Sequence, residues 1–143
     1  MAHLERSVVS LRIIGDTLDP DEITGALGAP PSFSQRNGGT LVSSTTGSKR
    51  IVKFGMWRLS PPPCEPENLD GQVEEILGKL STDLNIWLAI GARFRVDLFC
   101  GLFMKEGNEG FSISPRTLSA LGQRGVELDL DIYGSSYLKN GEE

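Results

Sequence analysis

The chain has 143 residues, 38% of them hydrophobic, which is enough for one core of ordinary domain size. Fourteen basic against nineteen acidic residues leave a net charge of -5, an unfavourable field for neutralising nucleic-acid phosphates. Two cysteines without zinc spacing and a single histidine, His3, speak against a disulfide framework, a metal cluster rich in histidine and most His-dependent catalysis.

Ser7 to Ile14 alternates Val9, Leu11 and Ile13 with Ser10 and Arg12, the pattern of a half-buried strand. After Gly15-Asp16-Thr17, the stretch "LDPDEITGALG" carries a full set of helix signals. Asp19 fits the N-cap, Pro20 the first turn, Glu22 a capping box, Leu18 with Ile23 a hydrophobic staple, and Gly28 the stop. Pro30-Pro31 prevents continuation, and a polar stretch runs from Ser32 to Gly39. Two strands are then expected, Thr40 to Ser43 and Arg50 to Leu59, joined by the turn "STTGS". Trp57 near the end of the second strand is expected in the core. "SPPPCEPEN" reads as a stiff connector.

Asn68 to Leu80 is the clearest helix, with Leu69, Val73, Ile76, Leu77 and Leu80 on one stripe and Asn68 or Asp70 capping it. Leu84, Trp87 and Leu88 suggest one more helical turn over the core. Arg93 to Met104 alternates Phe94, Val96, Leu98, Cys100 and Leu102 inward against Arg95 and Asp97 outward. Phe111 to Ile113 reads as a short strand, and "SPRTLSALG" as a helix capped by Ser114. The last strand, Val126 to Tyr133, turns Val126, Leu128, Leu130 and Ile132 inward. The sequence thus predicts an α+β fold with a mainly antiparallel sheet and three helices packed on one face. Its order is a ferredoxin-like βαββαβ core extended by a C-terminal βαβ. One domain is expected over 1–143, with its core at about 7–134 and a flexible tail over 135–143. Cys100 reads as a buried hydrophobe and Cys64 as an exposed thiol.

The acids Glu127, Asp129 and Asp131 lie on one side of the last strand, about 6.5–7 Å apart along it. A divalent cation takes oxygens at roughly 2.0–2.6 Å, so such a row supplies a pair of ligands at most. No metal is expected on this ground, and a carboxylate site using Asp129 and Asp131 stays as the alternative. The competing reading pairs the acids with Arg12, Arg93 and Arg95 across the sheet. No phosphate-binding glycine loop is present, and no cofactor is called for. A second feature is a basic segment: from Ser32 to Ser60 there are five basic residues and no acid. Arg36, Lys49, Arg50 and Lys53 of that segment are candidates for an anionic ligand.

Four stretches in this order carry a resemblance: "SLRIIGDTLDPDEITGALGAPP", "GMWRLSP", "LDGQVEEILGKL" and "SISPRTLSALGQRGVELDLDIYG". Together they resemble the bacterial domain-of-unknown-function family 4279, over about Val8 to Gly134. The resemblance implies the fold and one domain, and it transfers no catalytic residue. An immunity-type or regulatory role is an analogy of class only.

The function expected from the sequence is a non-enzymatic protein-interaction module that uses the open charged face of its sheet. Its candidate surface is Arg12, Arg93, Arg95, Phe99, Glu127, Asp129, Asp131 and Tyr133, with Phe103 beside them. The partner expected is another protein or a dimer mate, not a membrane and not nucleic acid. No secretory h-region and no apolar run long enough to span a bilayer are seen, so a cytoplasmic location is expected.

Overall fold

In the first strand, β1 (Arg6–Gly15), the alternation anticipated from the sequence is complete: Val9, Leu11 and Ile13 are fully buried while Val8, Ser10, Arg12 and Ile14 take the other side. This computed structural model of the chain describes residues 4–135. Around β1 a five-stranded sheet forms from β2 (Phe33–Gln35), β5 (Gly55–Leu59), β6 (Arg95–Phe103) and β7 (Glu127–Tyr133), in the order β2-β5-β1-β6-β7. Its pairs are antiparallel except β6–β7, which are parallel. A parallel pair needs a crossover, and α4 (Pro115–Gln123) supplies it. Two short strands, β3 (Thr40–Val42) and β4 (Lys49–Ile51), form a separate two-stranded sheet.

Helix α1 (Pro20–Leu27) packs on β5, α2 (Leu69–Gly78) on β1, α3 (Leu84–Arg93) on β6 and α4 on β7. Their buried residues join Val9, Leu11, Ile13, Trp57, Leu98 and Leu102 in one core, so the helices cover one side and leave the other open. Both tryptophans are fully buried. The Nε1–H of Trp57 donates to Thr24 Oγ1 at 3.0 Å and that of Trp87 to the Ser81 carbonyl at 2.8 Å, which satisfies the polar atom of each ring. Asp19, Asn68 and Ser114 cap α1, α2 and α4 as the punctuation predicts. At the end of α1, Gly28 has φ 91, a left-handed conformation that suits glycine. Gln72, a polar residue on the inner side of α2, is buried beside Ser7. It accepts from Ser7 Oγ at 2.6 Å and donates to the carbonyls of Ser7 and Pro62, tying α2 and the proline connector to β1.

Several expectations give way. The order is not βαββαβ: four strands lie between α1 and α2, and α2 and α3 together separate β5 from β6. The predicted strand over residues 50–59 divides into β4 and β5, and the polar stretch after Ser32 contains β2. The turn at Leu84 is a full helix; "LNIWLAIGAR" is apolar almost throughout, so its 3.6-residue period is faint in sequence. Phe111 and Ile113 are not in a strand, and their apolar spacing comes from packing an irregular segment against the core. Leu130 and Ile132, expected inward, are 44% and 54% exposed on the edge strand β7, while Leu128 and Val126 earlier in the same stretch are covered. Glu22 does not close a capping box; it pairs with Arg93 at 2.7 Å. Cys64 is half-buried, and its backbone bridges to Ser7; both cysteines are free. The expectation of a flexible tail falls, after Ser135, outside the described residues. Among the described residues no helix is long and apolar enough to cross a membrane.

Candidate functional site: the open face of the sheet

The strand register fixes which side chains meet on the uncovered side. One row runs across all five strands as Phe33, Arg58, Arg12, Asp97 and Glu127. The next rows toward the start of β1 are Ser10, Phe99 and Asp129, then Val8, Gly101 and Asp131, then Arg6, Phe103 and Tyr133. Acids therefore line the β7 side and arginines the β1 and β5 side.

Asp97 is the pivot of the charged part, fully buried although it lies on the open side. Burial by itself would raise its pKa, but Arg12 donates to both its oxygens, from Nε at 2.9 Å and Nη2 at 2.8 Å, and the net effect holds it below the usual carboxylate value. Asp129 moves the other way. Its hydrogen bond with Asp97 raises its pKa, desolvation and nearby negative charge add to this, and Arg95 opposes it only in part. Burial pushes the Cys100 thiol up to about 12, with help from Asp129 and Asp97, so it is a packing residue and no nucleophile.

Asp97, Glu127 and Asp129 bring oxygens within 4.8 Å of one another. The focus of these oxygens is occupied by the protein's own cation: Nη2 of Arg95 lies 3.3 Å from Asp97, 3.3 Å from Glu127 and 2.9 Å from Asp129. Asp131 is apart from this group and accepts from the Tyr133 hydroxyl at 2.7 Å.

Beside the charged cluster, the face sinks into a depression of about 280 Å³. Phe99, Phe103 and Tyr133 wall it, Val8 and Gly101 form its floor, and Arg12 and Arg58 stand on its β5 side. Phe103 and Tyr133 stack at 4.7 Å, and Arg12 lies over Phe99 at 4.5 Å, so the walls are braced. A larger cleft of about 490 Å³ lies between α2 and α4, where Arg116 faces Glu74 at 3.8 Å, Asp70 accepts the Ser114 N–H, and Arg124 donates to the Ala120 carbonyl. The open-face depression has no carboxylate in its lining.

The chain matches the family described as "Domain of unknown function (DUF4279)" over residues 5–135. It belongs to that family. No curated protein and no solved structure matches it. The DUF4279 match spans β1 through β7, and so includes every residue of the open face.

In this DUF4279 protein the face gathers seven of the eight residues expected to form a partner surface: Arg12, Arg95, Phe99, Glu127, Asp129, Asp131 and Tyr133. Arg93 is elsewhere. It ends α3, lies over Phe94 and pairs with Glu22 of α1, because the helix extends through it and β6 begins two residues later. The basic segment is divided as well: Arg36 is held by Asp19 at 2.8 Å and Asp21 at 2.9 Å. Lys49, Arg50 and Lys53 are exposed in and after β4, with no ion pair among the described residues. Asp97 was legible only as an outward strand position, and its burial under Arg12 needs the neighbouring strand. Arg58 and Gly101 carried no local signal apart from the alternation of their strands.

Proposed function

We propose that this protein is a non-enzymatic recognition module that binds another protein through the open face of its sheet. The observation that carries this reading is Gly101. Glycine in a strand interior weakens the strand and marks either a steric demand or a close approach from outside. The fold makes such a demand at Gly15 and Gly55, where an added Cβ would fall 2.5 Å from the Phe94 ring and 2.9 Å from the Gly15 carbonyl oxygen. At Gly101 it makes none: the nearest atoms to an added Cβ are Phe103 at 3.6 Å and the Val8 carbonyl oxygen at 3.7 Å, ordinary contact distances. The missing side chain opens the floor between Phe99 and Phe103. Aromatic and arginine side chains around such a recess are the residue types enriched where partners anchor. The carboxylates that an enzyme would use are engaged by Arg12, Arg95 and Tyr133.

The test is a photo-crosslinking residue placed at Val8, on the floor, and at Glu75, on the outer side of α2, with both variants expressed in the protein's native cells. A discrete adduct from the Val8 position and none from Glu75 is expected. Equal or absent crosslinking at the two positions overturns the reading.

A further inference from the structure

Resting on that reading, we infer that the depression takes an apolar side chain flanked by a carboxylate, presented by an acidic peptide segment of the partner protein. The charge pattern around the recess carries this. Arg58 and Arg12 stand directly opposite each other on β5 and β1, a like-charge pair that costs stability unless each is compensated. Arg12 is compensated, since Asp97 takes two of its donors. Arg58 is not: it is half-buried, its guanidinium lies 4.8 Å over the Phe33 ring, and among the described residues its side chain has no hydrogen bond and no ion pair. A guanidinium that sits over an aromatic ring and has no acceptor of its own offers its donors in the fork geometry that matches a carboxylate. It does so at the rim of a recess without an acid in its lining, on a chain whose net charge is -5.

The size of the recess argues for a side chain and against a free ligand. At about 280 Å³ it lies at the lower end of the roughly 300–1,000 Å³ of pockets that enclose a small molecule, and it is open to solvent, which suits one side chain of a longer segment. It holds one anchor between Phe99, Phe103 and Tyr133, while the rest of the segment runs over the surrounding face. Polarity sets the direction. Asp131, in register with Gly101, makes the β7 side negative, so the carboxylate of the anchor points toward β5 and Arg58.

The probes are the peptides acetyl-Gly-Asp-Phe-Gly-amide, its Asn-Phe and Asp-Gly analogues, and phenylacetate, followed by amide shifts in the ¹⁵N-labelled full chain. The Asp-Phe peptide is expected to shift Phe99, Gly101 and their neighbours, with the Asn-Phe peptide at least fivefold weaker and the Asp-Gly peptide silent. Arg58→Gln should erase the preference for Asp over Asn. Gly101→Val should weaken both Phe peptides at least tenfold at an unchanged melting midpoint, with Gly101→Ala as the milder variant if valine disturbs folding. Equal binding of the Asp and Asn peptides, a preference that survives Arg58→Gln, or tighter binding of phenylacetate than of the peptide overturns the inference. Silent probes together with a Val8 adduct reject this ligand chemistry alone. Silent probes without the adduct reject the recognition reading with it.

Discussion

Asp97 and Asp129 are neighbours of the same chemical type whose protonation is driven in opposite directions. Asp97 has a lowered pKa in the folded state, so its contribution to stability is present above its unfolded pKa and is lost as pH falls through the folded one. Asp129 has a raised folded pKa; its contribution is present below the unfolded pKa and is lost as pH rises through the folded one. The two therefore respond to substitution with opposite sign at neutral pH. Asp97→Asn leaves Arg12 without its charged acceptor and is expected to cost about 1.5–3 kcal/mol, the range for a hydrogen bond to a charged group. Asp129→Asn supplies a neutral donor toward Asp97 and should leave the stability unchanged or raised. Urea denaturation at neutral pH and again at about pH 3, where ordinary carboxylates are protonated, checks both. The gain from Asp129→Asn should vanish in acid, and a loss at neutral pH would show that its pairing with Arg95 outweighs the repulsion.

At the scale of elements, the first turn of α1 is held by two interactions of different reach. Its N-cap is local: Asp19 Oδ1 accepts the Asp21 N–H at 3.0 Å. Asp19→Ala is expected to cost about 0.5–2 kcal/mol and Asp19→Asn much less, since asparagine also caps; equal midpoints for both variants and the unmutated protein would remove the cap from the account. Glu22, by contrast, reaches across to Arg93 of α3, a contact that depends on both helices being in place. The β3–β4 ribbon forms its own sheet and leaves Val42 and Ile51 exposed. Replacing residues 41–50 by a short Gly-Ser turn should therefore shift Tm by only a few degrees, since little apolar area and little loop entropy change. Trp57→Ala should instead cost about 3–5 kcal/mol, because it empties a fully enclosed ring site and orphans Thr24. A large loss from the ribbon replacement would place the ribbon among the core elements.

For the whole molecule, the two edges of the sheet differ. At one edge β2 is only three residues long, which limits strand addition. At the other, β7 offers seven residues with Leu130 and Ile132 exposed on one side and three acids on the other. Two copies pairing through β7 with these side chains in register would set acids opposite acids, a destabilising arrangement. Glu127→Gln combined with Asp131→Asn should therefore shift the sedimentation profile toward dimers at neutral pH. An unchanged profile would remove the acids from any role in keeping copies apart.

What the sequence by itself determined is local in its physics. Period-two alternation marks β1, β6 and β7, caps mark α1, α2 and α4, and the charge asymmetry marks residues 32–60 as a segment with basic residues and no acid. These signals survive in one dimension because they involve residues a few positions apart. The tertiary structure decided everything that depends on register between distant segments. Strand order placed Arg58 beside Arg12 and Arg12 beside Asp97, although residue 97 is 85 positions from residue 12. It also put Arg95 at the focus of Asp97, Glu127 and Asp129, so that two acids of the β7 row meet the protein's own cation while Asp131 stands apart. Arg93 went to a helix end because "LNIWLAIGAR" is apolar on nearly every side, and only packing selects which side is buried. Gly101 looks the same in sequence as the glycines a fold requires; that an added Cβ would meet Phe103 and Val8 only at ordinary contact distances is decided once β1 and β7 are paired on either side.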